Sequence, residues 1–324
     1  MKIVILGAGN WGTTLAIALA FKDRQVSLWT RSSATAKELT SLQENKKYLA
    51  GIAIPQEVKI VEKYSESITA EDLLIFSIPS NRVREAAIEL FEHVDSSPVI
   101  VSASKGLEYG SFKTMSQVIK DVLPNVNVAV LTGPTIAREI AQGQPARAVL
   151  ACDDVAILLK VSKALENRLI SFDLSNDPVG AELCGALKGI VAIGVGIADG
   201  LGLGANIQGL ILAYGLQEFV KIAEFLSVRK DSIYGLPGLA DVATTCLSKN
   251  SRNRRLGYLL GKGLKLDEAL REVGMAVEGV NMVRTTMDLS STGMSIPILQ
   301  WVAESIFRDP GNVERIKSEL YDIL

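Results

Sequence analysis

The sequence predicts an α/β fold in which a doubly wound, mainly parallel sheet is followed by an all-helical domain. In the first half of the chain, short apolar runs alternate with helical segments. A glycine-rich turn joins the first apolar run to a helix. Strand patterns then fade after about residue 176. We therefore expect two domains, residues 1–176 and 177–324.

Apolar runs bounded by turn-type residues predict the strands of the first domain, because strands of a parallel sheet are buried on both faces and are therefore apolar at almost every position. They are KIVIL (2–6), QVSLW (25–29), DLLIFSI (72–78), PVIVSAS (98–104), VNVAVL (126–131), RAVLAC (147–152) and RLISFD (168–173). Helical segments separate most of these runs, and this alternation favours parallel pairing.

Amphipathic periodicity predicts long helices in the second domain. The clearest are DEALREV (267–273), IPILQWVAESIF (296–307) and NVERIKSELYDIL (312–324). Asp309 followed by Pro310 has the pattern of an N-cap and a first helical residue, and it predicts the start of the last helix.

Composition excludes several classes of partner. The net charge of −2 over 324 residues argues against nucleic acid as the main partner. Three scattered cysteines without CxxC spacing indicate a reducing compartment and no structural metal. The longest uncharged apolar run, 189–198, is shorter than the ~20 residues of a membrane span. We expect a cytoplasmic protein with no membrane span.

The motif GAGNWG at 7–12 follows a predicted strand and opens a predicted helix. In this context Gly7 permits a tight turn, Gly9 lets a pyrophosphate approach the backbone, and Gly12 lets helix and strand pack closely. The helix N-terminus then offers its N–H groups and positive dipole to the phosphates. The motif predicts a dinucleotide-binding, Rossmann-type domain.

The end of the second predicted strand bears on cofactor choice. An acidic residue usually binds the ribose hydroxyls of NAD there, whereas this strand ends in LWTRSS. Arg31 can pair with the 2′-phosphate of NADP, so the sequence leans toward NADP over NAD, or toward both. An arginine that stacks on adenine or faces water is the alternative.

Three loops follow predicted strands at the edge where open α/β sheets bind ligands. They are IPSNR (78–82), SKGLE (104–108) and GPTIARE (133–139). Lys105 is a cation in a glycine-containing loop at this edge, and we expect it to bind substrate or cofactor. A solvated loop lysine is the alternative reading.

Lys188 lies in the apolar stretch GALKGIVAIG (185–194). Its neighbours at helical spacing include no carboxylate, so no local ion pair explains it. Apolar surroundings favour the neutral amine, which suits acid–base chemistry. The single histidine, His93, falls near a predicted helix end, which leaves lysine and aspartate as candidates. A lysine whose ammonium group reaches out to solvent is the alternative.

Two later segments carry polar groups that suit a phosphorylated ligand. GLADVATTC (238–246) contains Asp241 and Thr245, and NSRNRRLG (250–257) contains Arg252 between a serine and an asparagine. A guanidinium beside hydroxyl and amide groups matches the geometry of a phosphate dianion. Arginines 254 and 255 also fit a solvated helix face.

The order of these motifs resembles that of the NAD(P)-dependent glycerol-3-phosphate dehydrogenases. The matching segments run from Gly7 to about Arg284, and they are GAGNWGTTLA, SKGLE, GPTIARE, ELCGALKG, ADGLGLGAN, ADVATTC, SRNRR and VEGV. The resemblance implies hydride transfer between NAD(P)H and dihydroxyacetone phosphate to give sn-glycerol 3-phosphate for phospholipid synthesis.

Roles follow from the resemblance position by position. Lys188 would be the acid–base residue, and Asp241 would position it. The substrate would contact Lys105, Gly133, Thr135, Thr245, Ser251, Arg252 and Asn253. The cofactor would contact Gly7, Gly9, Asn10, Trp11, Gly12, Arg31, Lys105, Ala137, Arg252 and Glu278.

This chain departs from the family pattern at three positions. Where the family usually has asparagine directly after the catalytic lysine, this chain has Gly189. In the later segment, Gln208 replaces the usual basic residue and Tyr214 replaces the usual arginine. Two alternative functions follow: another two-domain hydroxyacid or ketopantoate-type dehydrogenase, or a catalytically weak dinucleotide-binding sensor. Apolar helices in the second domain are compatible with a homodimer.

Overall fold

The computed structural model describes residues 2–20, 24–62, 68–69, 71–93, 98–290, 293–308 and 312–324. The chain divides into two compact units. The first unit comprises Met1–Lys105 and Lys113–Val179, and the second comprises Gly106–Phe112 and Gly180–Leu324. The assignment of functions to the two stretches 1–176 and 177–324 stays a prediction.

Eight strands in the described part of the first unit form one sheet in the order β3-β2-β1-β4-β5-β6-β7-β8. All neighbours pair in parallel except β6 and β7, which are antiparallel. This confirms the predicted doubly wound, mainly parallel sheet. The strands are β1 Ile3–Leu6, β2 Val26–Trp29, β3 Val58–Val61, β4 Leu73–Phe76, β5 Val99–Ser102, β6 Val128–Thr132, β7 Ala146–Ala151 and β8 Ile170–Ser175.

Strand β3 is absent from the strands that the sequence predicts. It lies at the edge of the sheet, where it pairs with β2 alone. Val58 is buried, Lys59 is exposed, and the last two residues are only half-buried. An edge strand with one wet face lacks the continuous apolar run that marks the buried strands of a parallel sheet.

Alternate residues of each central strand fill two separate cores, one on each face of the sheet. Ile3 and Ile5 of β1 join one apolar cluster, and Val4 and Leu6 join the other. Burial on both faces explains why this strand reads as an unbroken apolar run. The helices of this unit are α1 Asn10–Leu19, α2 Ser33–Leu42, α3 Lys46–Leu49, α4 Val83–His93, α5 Met115–Val122, α6 Ala137–Ala141 and α7 Val155–Leu165.

Apart from its short segment Gly106–Phe112, the described part of the second unit is helical, as predicted. Its long first helix, α8, runs from Pro178 to Gly200. The others are α9 Ala205–Phe225, α10 Asp231–Tyr234, α11 Asp241–Leu247, α12 Arg252–Gly261, α13 Leu266–Val273, α14 Glu278–Ser290, α15 Pro297–Phe307 and α16 Val313–Ile323. Asn312 caps α16 by accepting from the Arg315 N–H at 3.2 Å. The predicted Asp309–Pro310 pair lies outside the described residues.

Helix α8 is the centre of the second unit. Its apolar residues from Leu183 to Ala198 are almost all buried in one cluster with residues of the later helices. Among the described helices it alone has the length and composition of a membrane span, and 94% of that apolar window is buried inside the protein. Burial of this kind is what the core helix of a globular unit shows.

Four glycines bring the backbones of α8 and α12 into direct contact. A Cβ on Gly196 would lie 2.1 Å from the Arg254 carbonyl oxygen, and one on Gly200 would lie 2.3 Å from that of Tyr258. Reciprocally, a Cβ on Gly257 would lie 2.0 Å from the Ile193 oxygen. Gly261 faces α8 in the same way. Since backbone atoms occupy these spaces, a larger residue requires the helices to separate.

Replacing Gly257 by alanine is expected to destabilise the protein, because the new methyl group overlaps the α8 backbone. Overpacking of this kind lowers the free energy of unfolding by about 1–3 kcal/mol or more. Gly209 in α9 is the matched control, because a Cβ there meets nothing within 4 Å. G209A should instead gain about 0.5–1 kcal/mol from helix propensity. Urea unfolding of both variants tests this, and equal effects would contradict it.

Glu218 is a buried carboxylate in α9 that accepts hydrogen bonds from the N-terminal turn of α15. Its Oε1 accepts from the Ile298 N–H at 2.7 Å, and its Oε2 accepts from the Leu299 N–H at 2.9 Å. These N–H groups belong to the first turn of α15 and have no intrahelical acceptor. Burial raises the pKa of Glu218 to about 7, although the two N–H groups and the charge of Lys221 oppose that shift.

The raised pKa of Glu218 makes stability depend on pH. Because the folded-state pKa of about 7 lies above the ordinary 4.5, the folded state holds the proton more tightly. The stability that this proton provides is complete below pH 4.5 and is lost as pH rises through 7. Between pH 5 and 8 the free energy of unfolding should therefore fall by about 2–3 kcal/mol relative to E218Q. Denaturant titrations of both proteins measure the difference, and parallel pH profiles would refute it.

Candidate functional site

The glycine loop joins β1 to α1 with the geometry that the motif predicts. Gly7 has a φ of +114°, which favours glycine, and its N–H donates to the Trp29 oxygen. A Cβ on Gly12 would lie 1.9 Å from the Gly7 oxygen, so only glycine fits there. Above Gly9, by contrast, a Cβ would meet nothing within 4 Å. The loop therefore packs tightly at Gly7 and Gly12, and it leaves free space at Gly9, where a phosphate is expected.

The first turn of α1 has polar atoms that suit a dinucleotide. Asn10 Oδ1 and Trp11 Nε1 are buried and have no hydrogen-bond partner in the described chain. Such orphaned groups are costly unless a ligand or water satisfies them. Asn45 holds the loop from behind, because its Nδ2 donates to the Ala8 oxygen at 3.0 Å and to Thr13 Oγ1 at 2.8 Å. These residues fit a bound dinucleotide phosphate.

Arg31 lies just past the end of β2 and is exposed. Its Nη1 is 3.6 Å from Oε1 of Glu85, in the first turn of α4. The other oxygen of Glu85 contacts the guanidinium of Arg82. Arg31 therefore already has an acidic neighbour at the position where a 2′-phosphate is expected.

Three predicted substrate residues meet around one carbonyl group in the first unit. The Gly133 oxygen accepts from Lys105 Nζ at 3.2 Å and from Thr135 Oγ1 at 3.1 Å. Gly133 has a φ of +114°, which turns the chain after β6. Ala137 begins α6, and its oxygen accepts from Thr14 Oγ1 of α1 at 3.2 Å. The Lys105 side chain is thus held against the neighbouring loop, which carries Gly133 and Thr135.

Lys188 finds its counter-ion far along the chain, in the second unit. Its Nζ lies 2.5 Å from Asp241 Oδ1, and the two side chains are 15% and 1% exposed. Asp241 is the first residue of α11, which continues directly from a π-helical turn at Leu236–Ala240. Such turns are often found at functional sites. Shielding from water strengthens this ion pair relative to one at the surface.

The surroundings of this ion pair are fixed by α11. Thr245 Oγ1 donates to the Asp241 carbonyl oxygen at 2.6 Å, one helical turn away. Burial raises the pKa of the Cys246 thiol to about 12, although the positive charges of Lys188 and Arg254 oppose the shift. The thiol therefore stays protonated at neutral pH, and this argues against Cys246 as a nucleophile.

The start of α12 holds three predicted substrate residues in sequence. Ser251 caps the helix by accepting from the Arg254 N–H at 3.2 Å, and Arg252 follows, half-buried. Asn253 Oδ1 accepts from the Gly279 N–H at 3.1 Å, next to Glu278 at the start of α14. The neighbouring arginines form ion pairs instead: Arg254 with Asp199 at 2.6 Å and Arg255 with Glu272 at 3.0 Å.

The three departures from the family pattern each have a local packing explanation. A Cβ on Gly189 would lie 3.0 Å from the Gly279 Cα and 3.1 Å from Asn253 Nδ2, so the helix backbones approach closely there. Gln208 Nε2 donates to the Leu203 oxygen at 3.1 Å. Tyr214 packs against the apolar core of the second unit.

Sequence reasoning missed three residues that support these sites. Asn45 lies in no recognisable motif, and Asp199 belongs to the segment ADGLGLGAN, in which nothing indicates its partner. The contacts of both residues become visible only in three dimensions. Glu85 had a signal, because an acidic residue in the first turn after the IPSNR loop is near the expected cofactor edge. The signal can be interpreted only when the strand order is known, because that order places the start of α4 near the end of β2.

Comparison with known proteins gives consistent matches over almost the whole chain. The family model described as NAD-dependent glycerol-3-phosphate dehydrogenase N-terminus matches residues 2–158, and the corresponding C-terminus model matches residues 177–315. A glycerol-3-phosphate dehydrogenase (NAD(P)+) of Thermoanaerobacter sp. (strain X514) is 39% identical over 98% of this chain and 96% of its own. One of Chlorobium phaeobacteroides (strain BS1) is 38% identical over 95% and 94%.

A solved structure is similar over the same length. The crystal structure of glycerol-3-phosphate dehydrogenase from Coxiella burnetii superposes with a TM-score of 0.92 at 30% sequence identity. It covers 99% of this chain, and this chain covers 98% of it.

Replacing Gly9 by alanine is expected to weaken dinucleotide binding without harming the fold. The methyl group enters open space, and the Gly9 φ of −81° suits alanine. Affinity for NADPH should fall roughly ten-fold or more, a loss of about 1.4 kcal/mol or greater. Gly12→Ala is the contrasting variant and should lower the unfolding midpoint instead. Calorimetric titration and thermal unfolding check both, and unchanged affinity in G9A would count against this site.

Proposed function

The chain belongs to the NAD-dependent glycerol-3-phosphate dehydrogenase family, and on that premise we propose that it catalyses reversible hydride transfer between NAD(P)H and dihydroxyacetone phosphate. The reaction consumes one proton and gives sn-glycerol 3-phosphate, a precursor for phospholipid synthesis. The observation that carries the proposal is the buried ion pair of Lys188 and Asp241, with Nζ and Oδ1 2.5 Å apart.

Lys188 acts as the acid–base residue of this reaction. Reduction of a ketone places negative charge on the carbonyl oxygen, and the Lys188 ammonium group donates a proton to that oxygen as the C2–H bond forms. In the oxidation direction the neutral amine takes the proton from the C2 hydroxyl group. When bound, the nicotinamide supplies or accepts the hydride.

Asp241 holds Lys188 in one orientation through their ion pair. The carboxylate is 1% exposed, so water does not screen it. Thr245 lies one turn along α11, where its hydroxyl donates to the Asp241 carbonyl oxygen, and the family resemblance assigns it a contact with the substrate. A fixed ion pair pre-organises the proton donor before the substrate arrives, and such pre-organisation lowers the cost of the chemical step.

The phosphate group of the substrate is bound chiefly by Arg252. A guanidinium group matches phosphate in a bidentate geometry. Ser251 accepts from the Arg254 N–H, and this leaves the hydroxyl hydrogen to donate. Asn253 uses Oδ1 on the Gly279 N–H and can donate through Nδ2. Lys105, Gly133 and Thr135 supply further polar groups to the substrate.

The cofactor is bound by the glycine loop and by the polar groups of the first turn of α1. Open space at Gly9 and the orphaned atoms of Asn10 and Trp11 support this role. Arg31, Ala137, Arg252 and Glu278 complete the proposed set. Use of both NADH and NADPH, with some preference for NADPH, is part of this proposal.

A cytoplasmic location and a small-molecule phosphorylated substrate are also part of the proposal. Cys152, Cys184 and Cys246 are all buried and form no disulfide in the described chain, which is compatible with a reducing compartment. A homodimer stays a prediction.

Replacing Lys188 by alanine should abolish the reaction but not cofactor binding. Loss of a general acid–base group typically lowers kcat by about 10²–10⁴-fold. The assay follows NADH and NADPH absorbance with dihydroxyacetone phosphate, while cofactor affinity is measured separately by fluorescence. K249A is the matched control, because Lys249 is an exposed lysine in the same unit and should be dispensable.

Ketopantoate and other 2-oxoacids belong in the same assay. Faster turnover of an oxoacid than of dihydroxyacetone phosphate would replace the proposed substrate. Cofactor binding without turnover of any substrate would favour the sensor reading, and full activity in K188A would remove Lys188 from its role.

A further inference from the structure

Two guanidinium groups share one carboxylate beside the end of β2. Arg31 Nη1 lies 3.6 Å from Glu85 Oε1, and Arg82 contacts the other oxygen of the same carboxylate. The side chains of Arg31, Arg82 and Glu85 remain 69%, 49% and 56% exposed. The cluster carries two positive charges and one negative charge, and all three side chains are open to a ligand.

The location of Glu85 at the start of a helix favours a negative charge there. It lies in the first turn of α4, where the positive end of the helix dipole favours a carboxylate. Strand β1 lies between β2 and β4 in the sheet, and α4 follows β4 after a short turn at Ser80–Arg82. The sheet order therefore brings an acid from α4 to the arginine that follows β2.

In dinucleotide-binding folds an acid near the end of the second strand binds the ribose 2′-hydroxyl, and an arginine there accommodates a 2′-phosphate. In this chain the strand end supplies the arginine and α4 supplies the acid. The two groups contact each other, so a 2′-phosphate reaching Arg31 meets the Glu85 carboxylate as a competitor of like charge.

We propose that Glu85 is a specificity-determining residue that limits the preference for NADPH over NADH. The inference rests on the proposed function for the identity of the cofactor, and it deepens the cofactor part of that site. Glu85 attracts Arg31 and repels a phosphate dianion, whereas the uncharged ribose hydroxyls of NADH are little affected. Arg82 offsets part of this repulsion.

Coulomb's law sets the size of the expected effect. One unit charge about 6 Å from a dianion in water changes affinity by roughly ten-fold, before screening. With physiological salt the expected change is roughly three- to ten-fold. The change should shrink as salt concentration rises, because all three side chains are exposed.

The test compares E85Q with E89Q. Glu89 lies one turn further along the same helix and is also exposed, so its substitution removes the same charge from the same element. Affinities for 2′,5′-ADP and for 5′-ADP are measured by calorimetric titration, which needs no turnover. E85Q should bind 2′,5′-ADP roughly three- to ten-fold more tightly than wild type and bind 5′-ADP unchanged. E89Q should match wild type for both ligands.

The same variants are assayed for kcat/KM with NADPH and NADH, and the ratio should move by the same factor. In an R31A background, which lowers 2′,5′-ADP affinity itself, E85Q should still give a gain of similar size, because the repulsion between the Glu85 carboxylate and the phosphate does not require Arg31. An unchanged 2′,5′-ADP affinity in E85Q, or an equal gain in E89Q, would overturn the proposal. Tighter 2′,5′-ADP binding without turnover of dihydroxyacetone phosphate would retain the role of Glu85 and reject the proposed reaction instead.

Discussion

Backbone contact between α8 and α12 is the constraint on which the second unit depends. Glycines at 196, 200, 257 and 261 remove the side chains that would keep the two helices apart. Each glycine in a helix costs about 1 kcal/mol relative to alanine, and close packing offsets that cost. Since α8 carries Lys188 and α12 begins at Arg252, the same contact sets the spacing of the proposed proton donor and phosphate ligand within this unit.

The two ion pairs on which the proposals rest differ in their exposure, and the difference matches their proposed roles. Lys188 and Asp241 are shielded, so their attraction is strong and their geometry is fixed. Arg31 and Glu85 are exposed, so their attraction is weak and screened by salt. A proton donor benefits from rigidity, whereas a group that sorts two similar cofactors needs only a small bias.

Much of the first unit follows from sequence, because its strands are buried on both faces and read as apolar runs. The exception is β3, where one exposed lysine and an edge position remove that signal. The glycine loop was predictable in position and spacing, since Gly7 and Gly12 meet steric demands within the chain and Gly9 leaves open space for the expected phosphate. Its support by Asn45 was not, because a side chain that reaches back to a loop leaves no local pattern.

The second unit was predictable as a set of helices but not as an arrangement. Lys188 stood out because no carboxylate lies three or four residues from it along its own helix. Proximity to Asp241 depends on how α11 packs on α8, and periodicity carries no information about that. The assignment of Asp241 came from family resemblance, and the observed contact gives that assignment a physical basis while its role awaits the experiment.

The packing around Gly189 links the side chains that three positions of the second unit can accept. A Cβ added to Gly189 would lie 3.0 Å from the Gly279 Cα and 3.1 Å from Asn253 Nδ2, and one added to Gly279 would lie 2.5 Å from Asn253 Oδ1. A substitution at one of these positions therefore changes the space that the other two can use. A side chain at 189, such as the asparagine that the family resemblance leads one to expect there, requires Asn253 or α14 to shift by a few tenths of an ångström. Positions 189, 253 and 279 are therefore energetically coupled, and the effect of a double substitution among them should differ from the sum of the single ones.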